Sequence, residues 1–596
     1  MFYSKRDIRF QLFEVLNAEA LTKYPYFQDH NRESFDMVLE AADHIAEKML
    51  YPLLTEMDRQ EPQLVHGKIR VHEGMKAIVK RFGEDGWINA PFSYEQGGQQ
   101  IPTTVLNAAA FILQASNYSA SVFPFLTTGA ANLILTFGSK ELQNTYTPKM
   151  FSGEWQGTMA LTEPDAGSSL SDISTSATPS VQEGIYKIKG QKIFISCGDH
   201  DACNNVIHLM LARIAGAPAG VKGISLFVVP QKRLMGNSDL LESNDVISAG
   251  IYHKMGYKGA PIAHLMMGEN DDCYGYLVGE AHKGLMYMFQ MMNEARVGVG
   301  ANAAAIGTAA YHASLKYAKE RPQGRKINEK DPSQPQTLII NHADVKRMLL
   351  FQKAVVEGSL SLLCQCNYLT DLAHVEQGET KENALLLLDF LTPIAKSYPS
   401  EMCCLTTSAA VQIHGGAGYT TEFPVEQYYR EARIHPIHEG TTGIHGIDLL
   451  GRKTTMRNGK AAQLFAAELA KTIEEATPYS ELQPLIEQLQ KASFKAQKVT
   501  THLLGVAATN TEAYLADATL YLEMVGIITI AWQWLRQAKV AQAALNNDST
   551  LDADFYQGKI MTAKYFYEYE LVKVDALAKR LLSSENVTID MKSEWF

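Results

Sequence analysis

Residues 412–453 read QIHGGAGYTTEFPVEQYYREARIHPIHEGTTGIHGIDLLGRK, a stretch with glycines in its first half and an isolated carboxylate in its second half. Near its beginning, a polar residue, Gln412, is followed by the paired glycines Gly415 and Gly416. Because glycine has no side chain, the backbone there can approach a flat or anionic ligand closely. This part of the stretch therefore predicts a ligand contact made by backbone atoms.

The second half of the stretch contains one isolated carboxylate. Glu439 stands before Gly440 and a pair of threonines, Thr441 and Thr442. Either threonine can act as the N-cap of a following helix, whose apolar face would contain Ile444, Ile447 and Leu450. We therefore expect Glu439 to lie in a tight turn that leads into a helix, where backbone N–H groups are free.

Taken together, these residues resemble the C-terminal signature of the acyl-CoA dehydrogenase family. Two positions depart from the family pattern: Glu431 replaces the usual aspartate, and His438 replaces the usual tyrosine. The positions that match are Gln412, Gly415, Gly416, Gly418, Tyr419, Glu422, Pro424, Val425, Glu426, Arg430, Ala432, Arg433, Ile434, Glu439, Gly440 and Thr441.

Hydrophobic periodicity changes twice along the chain. Helical spacing prevails over residues 36–157, β-type alternation over residues 158–283, and helical spacing again over residues 284–453. Within the β-rich part, residues 184–196 alternate like two strands joined at Gly190. This order resembles the family fold, which implies an α+β multidomain protein with a helical N-terminal domain, a middle β-barrel and a C-terminal four-helix bundle.

Two further segments lie outside that arrangement. Residues 1–35 form a lead-in that contains RDIRFQLFEVL, and residues 454–596 are predicted to form an appended helical domain. The lead-in resembles a segment of one family subgroup that also carries an extra C-terminal domain, and 3-methylmercaptopropionyl-CoA dehydrogenases belong to that subgroup. Apolar stripes in the appended segment should pack on the chain's own bundle, in long helices predicted over residues 484–504, 515–537 and 565–582.

The composition indicates the cellular compartment of the protein and excludes some classes of partner. A chain of 596 residues is long enough for several domains, and a net charge of −11 disfavours a general nucleic-acid binder. Seven scattered cysteines favour a reducing compartment, and their spacing predicts no metal site. The apolar stretch from Leu520 to Leu535 is short and contains Glu523, which favours a buried helix. We therefore expect a cytoplasmic protein without a secretory signal or transmembrane segment.

Residues 159–168 read MALTEPDAGS and resemble the first flavin signature of the family. Glu-Pro and Ala-Gly-Ser interrupt regular structure, so a loop between strands is predicted. Residues 194–196 read FIS and match the family site beside the isoalloxazine ring of FAD. The resemblance assigns FAD binding in these segments to Met159, Leu161, Thr162, Gly167, Ser168, Phe194, Ile195 and Ser196.

The residues Asn293-Glu294-Ala295-Arg296 are predicted to open a long helix. Some family members place the catalytic base directly before the arginine of this motif, but that position is an alanine here, which favours Glu439 as the base. Glu294 is one residue away and should point elsewhere, because successive helical side chains are 100° apart. We expect Glu294 to be solvated or salt-bridged.

Arg321 matches a family arginine that binds the flavin pyrophosphate of a neighbouring subunit, although the phenylalanine that usually follows is absent. An exposed arginine at a helix end is the alternative. With Gln412, Gly415 and Gly416, Arg321 would form a flavin site between subunits, which implies a homodimer. The resemblance also assigns FAD binding to Thr441, Thr442 and Gly443, and substrate binding to Ser168, Asn293, Arg296 and Gly440.

These assignments imply an FAD-dependent acyl-CoA dehydrogenase of fatty acid β-oxidation that passes electrons to an electron-transfer flavoprotein. Glu439 would remove the α-proton of a saturated acyl-CoA, and the β-hydride would pass to the flavin, giving the trans-2-enoyl-CoA. The motifs do not separate this reaction from that of an acyl-CoA oxidase. A flavin-bearing DNA-binding relative would need a basic extension, and a protein with an inactive site is a third alternative. Straight-chain acyl-CoAs and 3-methylthiopropanoyl-CoA are both compatible substrates.

Overall fold

Helices flank a β-rich segment in the computed structural model of the chain, which describes residues 2–236, 238–547 and 551–596, apart from the side chains of residues 290 and 291. The chain divides into two units. The barrel unit comprises Asp36–Pro102 and Ile112–Ala295, and the bundle unit comprises Met1–Phe35, Thr103–Phe111 and Arg296–Phe596. The α+β multidomain fold class is confirmed, whereas the division into five parts stays a prediction.

The α-helices are numbered in chain order. They are α1 (Lys5–Arg9), α2 (Arg32–Ile45), α3 (Leu54–Arg59), α4 (Gly74–Glu84), α5 (Thr103–Ser116), α6 (Tyr118–Phe137), α7 (Lys140–Phe151), α8 (Gly284–Glu320), α9 (Ala343–Val375), α10 (Gly378–His414), α11 (Val425–Ala432), α12 (Thr442–Ile447), α13 (Lys460–Ala476), α14 (Gln483–Ala507), α15 (Thr511–Ala516), α16 (Ala518–Leu545), α17 (Ala553–Tyr565), α18 (Lys573–Leu581) and α19 (Val587–Asp590).

The strands are β1 (Gln63–Val65), β2 (Lys68–Arg70), β3 (Trp155–Ala160), β4 (Ser176–Pro179), β5 (Ile185–Ser196), β6 (Asn205–Ile214), β7 (Ile224–Pro230), β8 (Lys232–Leu234), β9 (Leu241–Ser243), β10 (Val246–Ile251), β11 (Ile262–Met267) and β12 (Tyr274–Leu277). Pairing runs through β5, β12, β7 and β6, and β4 pairs with both β6 and β5. The short strand β4 therefore closes a ring, which leaves those strands without an open edge.

Strand β5 differs from its prediction. In place of two strands joined at Gly190, one strand runs without a break from Ile185 to Ser196. Gly190 adopts a φ of +152°, and a Cβ there would lie 2.6 Å from the Thr175 hydroxyl oxygen. The glycine is therefore a point of close packing inside one strand, not a turn between two.

Helices α8, α9 and α10 form the core of the bundle unit. Pro399 in α10 has no N–H, so it leaves the Ala395 carbonyl without its helical hydrogen bond. Gly300 of α8 packs at this point, where a Cβ would lie 1.9 Å from the Ala395 oxygen. The proline and the glycine together let α8 and α10 approach closely around the residue that follows, Lys396.

The appended helices pack on this bundle through α16. The Trp534 indole N–H donates to the Ala354 carbonyl of α9 at 3.0 Å, and Gly358 gives α16 room, since a Cβ there would lie 2.6 Å from Ile530. The predicted helix over residues 515–537 is interrupted, because Asp517 leaves the helical conformation with φ −106° and ψ 26°. The long helix therefore begins at Ala518, three residues later than predicted.

Two helices among the described residues are long and apolar enough to cross a bilayer, α6 and α16. In α16, 83% of the apolar window is buried inside the protein, as predicted for a buried helix, and in α6 the share is 56%. Most of this apolar surface therefore already has protein partners.

A buried charge network joins the lead-in, the bundle and the appended helices. Lys559 of α17 is 1% exposed and donates to Asp7 of α1 and, at 2.8 Å, to Glu357 of α9. Lys353 also donates to Glu357. Although burial opposes ionisation, these two lysines lower the pKa of Glu357 to about 2. Burial raises the pKa of Asp7, against the effect of Lys559.

We predict that Lys559→Met destabilises the protein by about 3–5 kcal/mol, because it removes a buried cation from two buried carboxylates. A lower urea midpoint for unfolding of the bundle unit measures this effect. Lys495→Met is the matched control, since Lys495 pairs with Asp575 at the surface and such pairs contribute about 0–1 kcal/mol. Equal midpoints for the two variants would contradict the prediction.

Candidate functional site

Glu439 lies in the left-handed region of the backbone map. Its φ is +54°, and that of Gly440 is +90°. Helix α12 begins two residues later at Thr442, and Thr441 occupies the N-cap position without a side-chain cap hydrogen bond. The expected turn before a helix is thus present. The apolar face of that helix is narrower than predicted, because Ile447 is 46% exposed. A non-glycine residue held at positive φ costs about 1–3 kcal/mol, so the surroundings must hold this turn in place.

Two buried side chains hold the carbonyl groups of the turn. The Lys396 ammonium donates to the Gly440 carbonyl at 2.7 Å, and His445 Nε2 lies 3.1 Å from the Glu439 carbonyl oxygen. Burial lowers the pKa of His445 to about 3, so the ring is neutral at physiological pH and Nε2 carries the proton that it donates. A Cβ at Gly440 would lie 2.9 Å from His445 Nε2, which explains the glycine.

The Glu439 carboxyl is half-buried among opposing charges. Burial raises its pKa, while Arg296 and Lys396 lower it. Both cations are themselves buried, and burial lowers the pKa of Lys396 to about 8. Arg296 lies 3.7 Å from the Asp448 carboxylate. The site therefore combines a carboxyl whose pKa is shifted towards neutrality with two cations that favour its ionised form.

In the barrel unit, the first flavin signature forms the predicted loop. Met159 ends up inside β3, and residues 161–168 follow as a loop in which Gly167 and Ser168 are exposed and Leu161 and Thr162 are half-buried. A buried ion pair supports the loop: Lys192 donates to Glu163 at 2.7 Å and to the Leu161 carbonyl at 3.0 Å. Glu163 also accepts from the backbone N–H of Ser174 at 2.6 Å.

The second flavin segment is joined directly to this loop. The Ile193 N–H donates to the Thr162 carbonyl at 2.9 Å. Between the pairs Ile195–Ala263 and Lys192–Leu265 the register shifts, and at this bulge Phe194 adopts φ +58° with a side chain that is 57% exposed. Ile195 is buried and Ser196 is half-buried. The bulge therefore turns an aromatic ring outward beside the loop, as a site for a flat ring system requires.

The bundle unit holds the residues that the resemblance assigns to a neighbouring flavin. Arg321 is exposed, and its guanidinium has no hydrogen-bond or ion-pair partner among the described residues. Gln412, Gly415 and Gly416 are also exposed, and a Cβ at either glycine would meet nothing within 4 Å. Gly415 needs to be glycine for its backbone, with φ 60° and ψ −140°. No packing contact within the described chain explains Gly416, which fits the approach of a group from outside.

The remaining predicted site residues lie around the turn at Glu439 or in α8. Thr442 donates from its hydroxyl to Glu401, and both Thr441 and Gly443 are half-buried. Asn293 and Arg296 do not open a helix as predicted, because α8 begins at Gly284. Asn293 is half-buried and falls in the barrel unit, whereas the buried Arg296 falls in the bundle unit.

Glu294 is a second carboxyl with a raised pKa. Its side chain is exposed and accepts a hydrogen bond from Asn132 at 3.3 Å. Although the side chain is exposed, the protein around the carboxyl removes part of its solvation and so raises the pKa of Glu294 to about 7, while the hydrogen bond from Asn132 opposes that rise. No salt bridge to Glu294 is present among the described residues, and its exposure fits the other expected state, a solvated carboxyl. Because its pKa is raised, Glu294 is tested beside Glu439 as a candidate base.

Four protein-family models match consecutive parts of the chain. They describe the acyl-CoA dehydrogenase N-terminal domain (residues 32–154), middle domain (residues 158–269) and C-terminal domain (residues 282–453), and an acetyl-CoA dehydrogenase C-terminal-like domain (residues 465–592). The chain is 36% identical to 3-methylmercaptopropionyl-CoA dehydrogenase of Ruegeria pomeroyi over 97% of each chain. It is 33% identical to a butyryl-CoA dehydrogenase of Syntrophomonas wolfei, over 100% of this chain and 99% of that one.

Among solved structures, an acyl-CoA dehydrogenase complexed with FAD from Bacillus anthracis shares the fold with a TM-score of 0.74, at 20% identity, over 96% of this chain and 91% of that one. The fold and the two signatures define a flavin-dependent oxidoreductase of the acyl-CoA dehydrogenase type. This chain belongs to the acyl-CoA dehydrogenase family and carries the extra C-terminal domain.

FAD is the cofactor of this family, and the residues present fit it. The exposed Phe194 ring offers a flat apolar surface, and the loop beside it exposes backbone atoms and the Ser168 hydroxyl. The Arg321 guanidinium, which has no partner in the part of the chain that the structure describes, suits a pyrophosphate. Among the described residues, no group of three or more His, Cys, Asp or Glu side chains could hold a metal ion.

Sequence reasoning missed the side chains that support the site. Lys396, His445 and Lys192 are all buried and bond to the segments that carry the predicted functional residues. A buried lysine gives a weak signal in sequence, because lysine is usually exposed and its pattern on a helix looks like that of any polar residue. The one available hint was the Pro399 that follows Lys396 closely in an otherwise helical segment.

Proposed function

We propose that this acyl-CoA dehydrogenase acts on short, unbranched acyl-CoA thioesters, that Glu439 is its catalytic base, and that an electron-transfer flavoprotein accepts the electrons. The observation that carries the base assignment is the fixed left-handed turn, which holds a half-buried carboxyl of raised pKa between Arg296 and Lys396. A general base is most effective when its pKa is near the working pH and it is still ionised.

Glu439 would contribute two groups to the reaction. Its carboxylate would take the α-proton, and its backbone N–H, which donates to no described residue, would donate to the thioester oxygen as negative charge develops there. Bound FAD supplies the acceptor for the β-hydride. Arg296 and Lys396 would keep the carboxylate ionised until the proton arrives, because both charges lower the pKa of Glu439.

The relatives support the proposed substrate and acceptor. One is named for 3-methylmercaptopropionyl-CoA and the other for butyryl-CoA, and both of these acyl chains are short and unbranched. Both proteins are named dehydrogenases, which favours a protein acceptor over the O₂ of an oxidase. A cytoplasmic location also stays a prediction.

A substrate panel tests the proposal. We expect butanoyl-CoA and 3-methylthiopropanoyl-CoA to bleach the yellow holoenzyme anaerobically, and palmitoyl-CoA to do so at least ~10-fold more slowly, because a site that prefers short acyl chains would bind the longer chain poorly. Turnover should need an electron-transfer flavoprotein and yield little peroxide in air. Faster bleaching by palmitoyl-CoA would contradict the substrate proposal, and stoichiometric peroxide would favour the oxidase.

Paired amide variants test the base. We predict that Glu439→Gln keeps FAD and binds acyl-CoA but loses turnover by ~10²-fold or more, because the amide cannot accept the proton. Glu294→Gln is the matched control and should lose far less. The assay is the single-turnover rate of flavin bleaching, and an inactive Glu294→Gln beside an active Glu439→Gln would refute the assignment.

We also propose a homodimer in which Arg321 and residues 412–416 reach the flavin of the neighbouring subunit. Their exposure and the open space at the two glycines support this arrangement, while the appended helices cover a face of α9. Light scattering should give twice the 66.0 kDa chain mass, and Arg321→Gln should lower FAD occupancy without changing that mass. A mass near one or four chains would exclude the dimer.

A further inference from the structure

The four buried lysines among the described residues do not all have the same kind of partner. Lys192, Lys453 and Lys559 each form a salt bridge with a carboxylate, at Glu163, Asp389 and Asp7. Lys396 is 0% exposed and forms no salt bridge within the described chain. Its ammonium donates instead to a backbone carbonyl, that of Gly440. Burying a cation without a carboxylate beside it destabilises the fold, so a lysine at this position is expected to have a role other than stability.

The position of Lys396 suggests that role. The carbonyl that accepts its hydrogen bond belongs to the residue after Glu439, inside the left-handed turn. A charge-assisted hydrogen bond is about twice as strong as a neutral one, and it can hold a strained turn in one orientation. The surrounding helix is fixed as well, because Gly300 packs against the carbonyl of the neighbouring Ala395.

We propose that Lys396 is a positioning residue for proton abstraction: it fixes the turn that aims the Glu439 carboxylate, and its charge keeps that carboxylate ionised. This inference rests on the proposed role of Glu439 as the base. Lys396 itself contacts neither the substrate nor the reacting atoms in this account. It acts through the Gly440 carbonyl and through its electrostatic effect on Glu439.

Other charged and titratable groups lie around the turn. Arg296 of α8 adds a second positive charge, Glu401 of α10 acts on Lys396, and Asp448 faces Arg296. Three histidines complete the set, and burial lowers the pKa of each: to about 3 for His445, to about 4 for His435, and well below its usual value for His438. All three rings are therefore neutral at physiological pH, which leaves Lys396 and Arg296 as the cations beside Glu439.

The sign of the effect follows from these charges. Lys396 lowers the pKa of Glu439, so its removal raises that pKa. Because the base acts only when ionised, the acid limb of the pH–rate profile must move to higher pH. A purely structural role would lower the rate at every pH without moving the limb.

Isotope exchange with reduced holoenzyme isolates the proton transfer. When dithionite has reduced the flavin, the flavin cannot accept a hydride from bound butanoyl-CoA. Only the α C–H bond of the substrate then breaks: its electron pair stays on the thioester enolate, and the proton passes to Glu439. In D₂O the carboxyl exchanges with solvent and returns a deuteron to the α-carbon, so nothing is oxidised or reduced. Mass spectrometry of butanoyl-CoA follows the exchange over a pH series.

For Lys396→Met we expect an acid limb about 1 pH unit higher or more, and a plateau rate about 10-fold lower. Lys453→Met is the matched control, because Lys453 is 1% exposed and donates at 2.6 Å to Asp389 of α10, the helix that also carries Lys396. Its limb should coincide with that of wild type. An unshifted limb in Lys396→Met, in protein that holds FAD and unfolds cooperatively, would overturn the inference.

If Lys396→Met fails to fold, Lys396→Arg carries the test, since it retains the charge but displaces the donor. Its limb should stay at the wild-type pH while its plateau falls, and a wild-type plateau or a shifted limb would overturn the inference. Failure of the proposed function would look different. In that case wild type would not exchange the α-proton, or Glu439→Gln would exchange it as fast as wild type.

Discussion

The left-handed turn at Glu439 is the constraint on which the site depends. A side chain at φ +54° points where a residue in an ordinary helix or strand cannot, and the conformation persists only because its surroundings determine it. Two buried donors, on Lys396 and His445, bond to the two carbonyls of the turn. The strain is therefore balanced by contacts from helices on either side, and the carboxylate has a defined direction before any substrate binds.

A buried lysine also holds a segment in place in the barrel unit. There the segment to be held is a loop, and the buried Lys192–Glu163 pair ties it to β5, the same strand that carries Phe194. Glu163 has enough donors from Lys192, Ser174 and Thr175 to remain ionised, and Lys192 and these hydrogen bonds lower its pKa despite burial. In the barrel the buried lysine has its own carboxylate. Lys396 has no carboxylate of its own among the described residues, and its charge acts on Glu439.

The extent to which the sequence predicted these features follows from the range of the interactions. Local patterns identified the loop at residues 161–168 and the turn at Glu439. Each of these depends on a few neighbouring residues. The contact from Lys396 to Gly440 spans 44 positions, and nothing near Lys396 in the chain specifies its partner. Gly190 was misread for a similar reason, since its packing partner Thr175 lies on another segment.

Long-range contacts of the same kind join the lead-in to the appended helices. Lys559 cannot be buried alone, and its two carboxylates come from different segments, Asp7 in α1 and Glu357 in α9. Without the lead-in, Lys559 would keep one carboxylate, that of Glu357. Without α17, Asp7 and Glu357 would be left as two carboxyls with Lys353 as the remaining nearby cation. Gln11 and Gln537 extend the dependence, since they bond to one another at 2.8 Å and Gln537 also accepts from Lys559 at 3.0 Å. A segment before the main fold and a domain after it are therefore stable on the bundle as a pair, and loss of either would leave buried charge uncompensated.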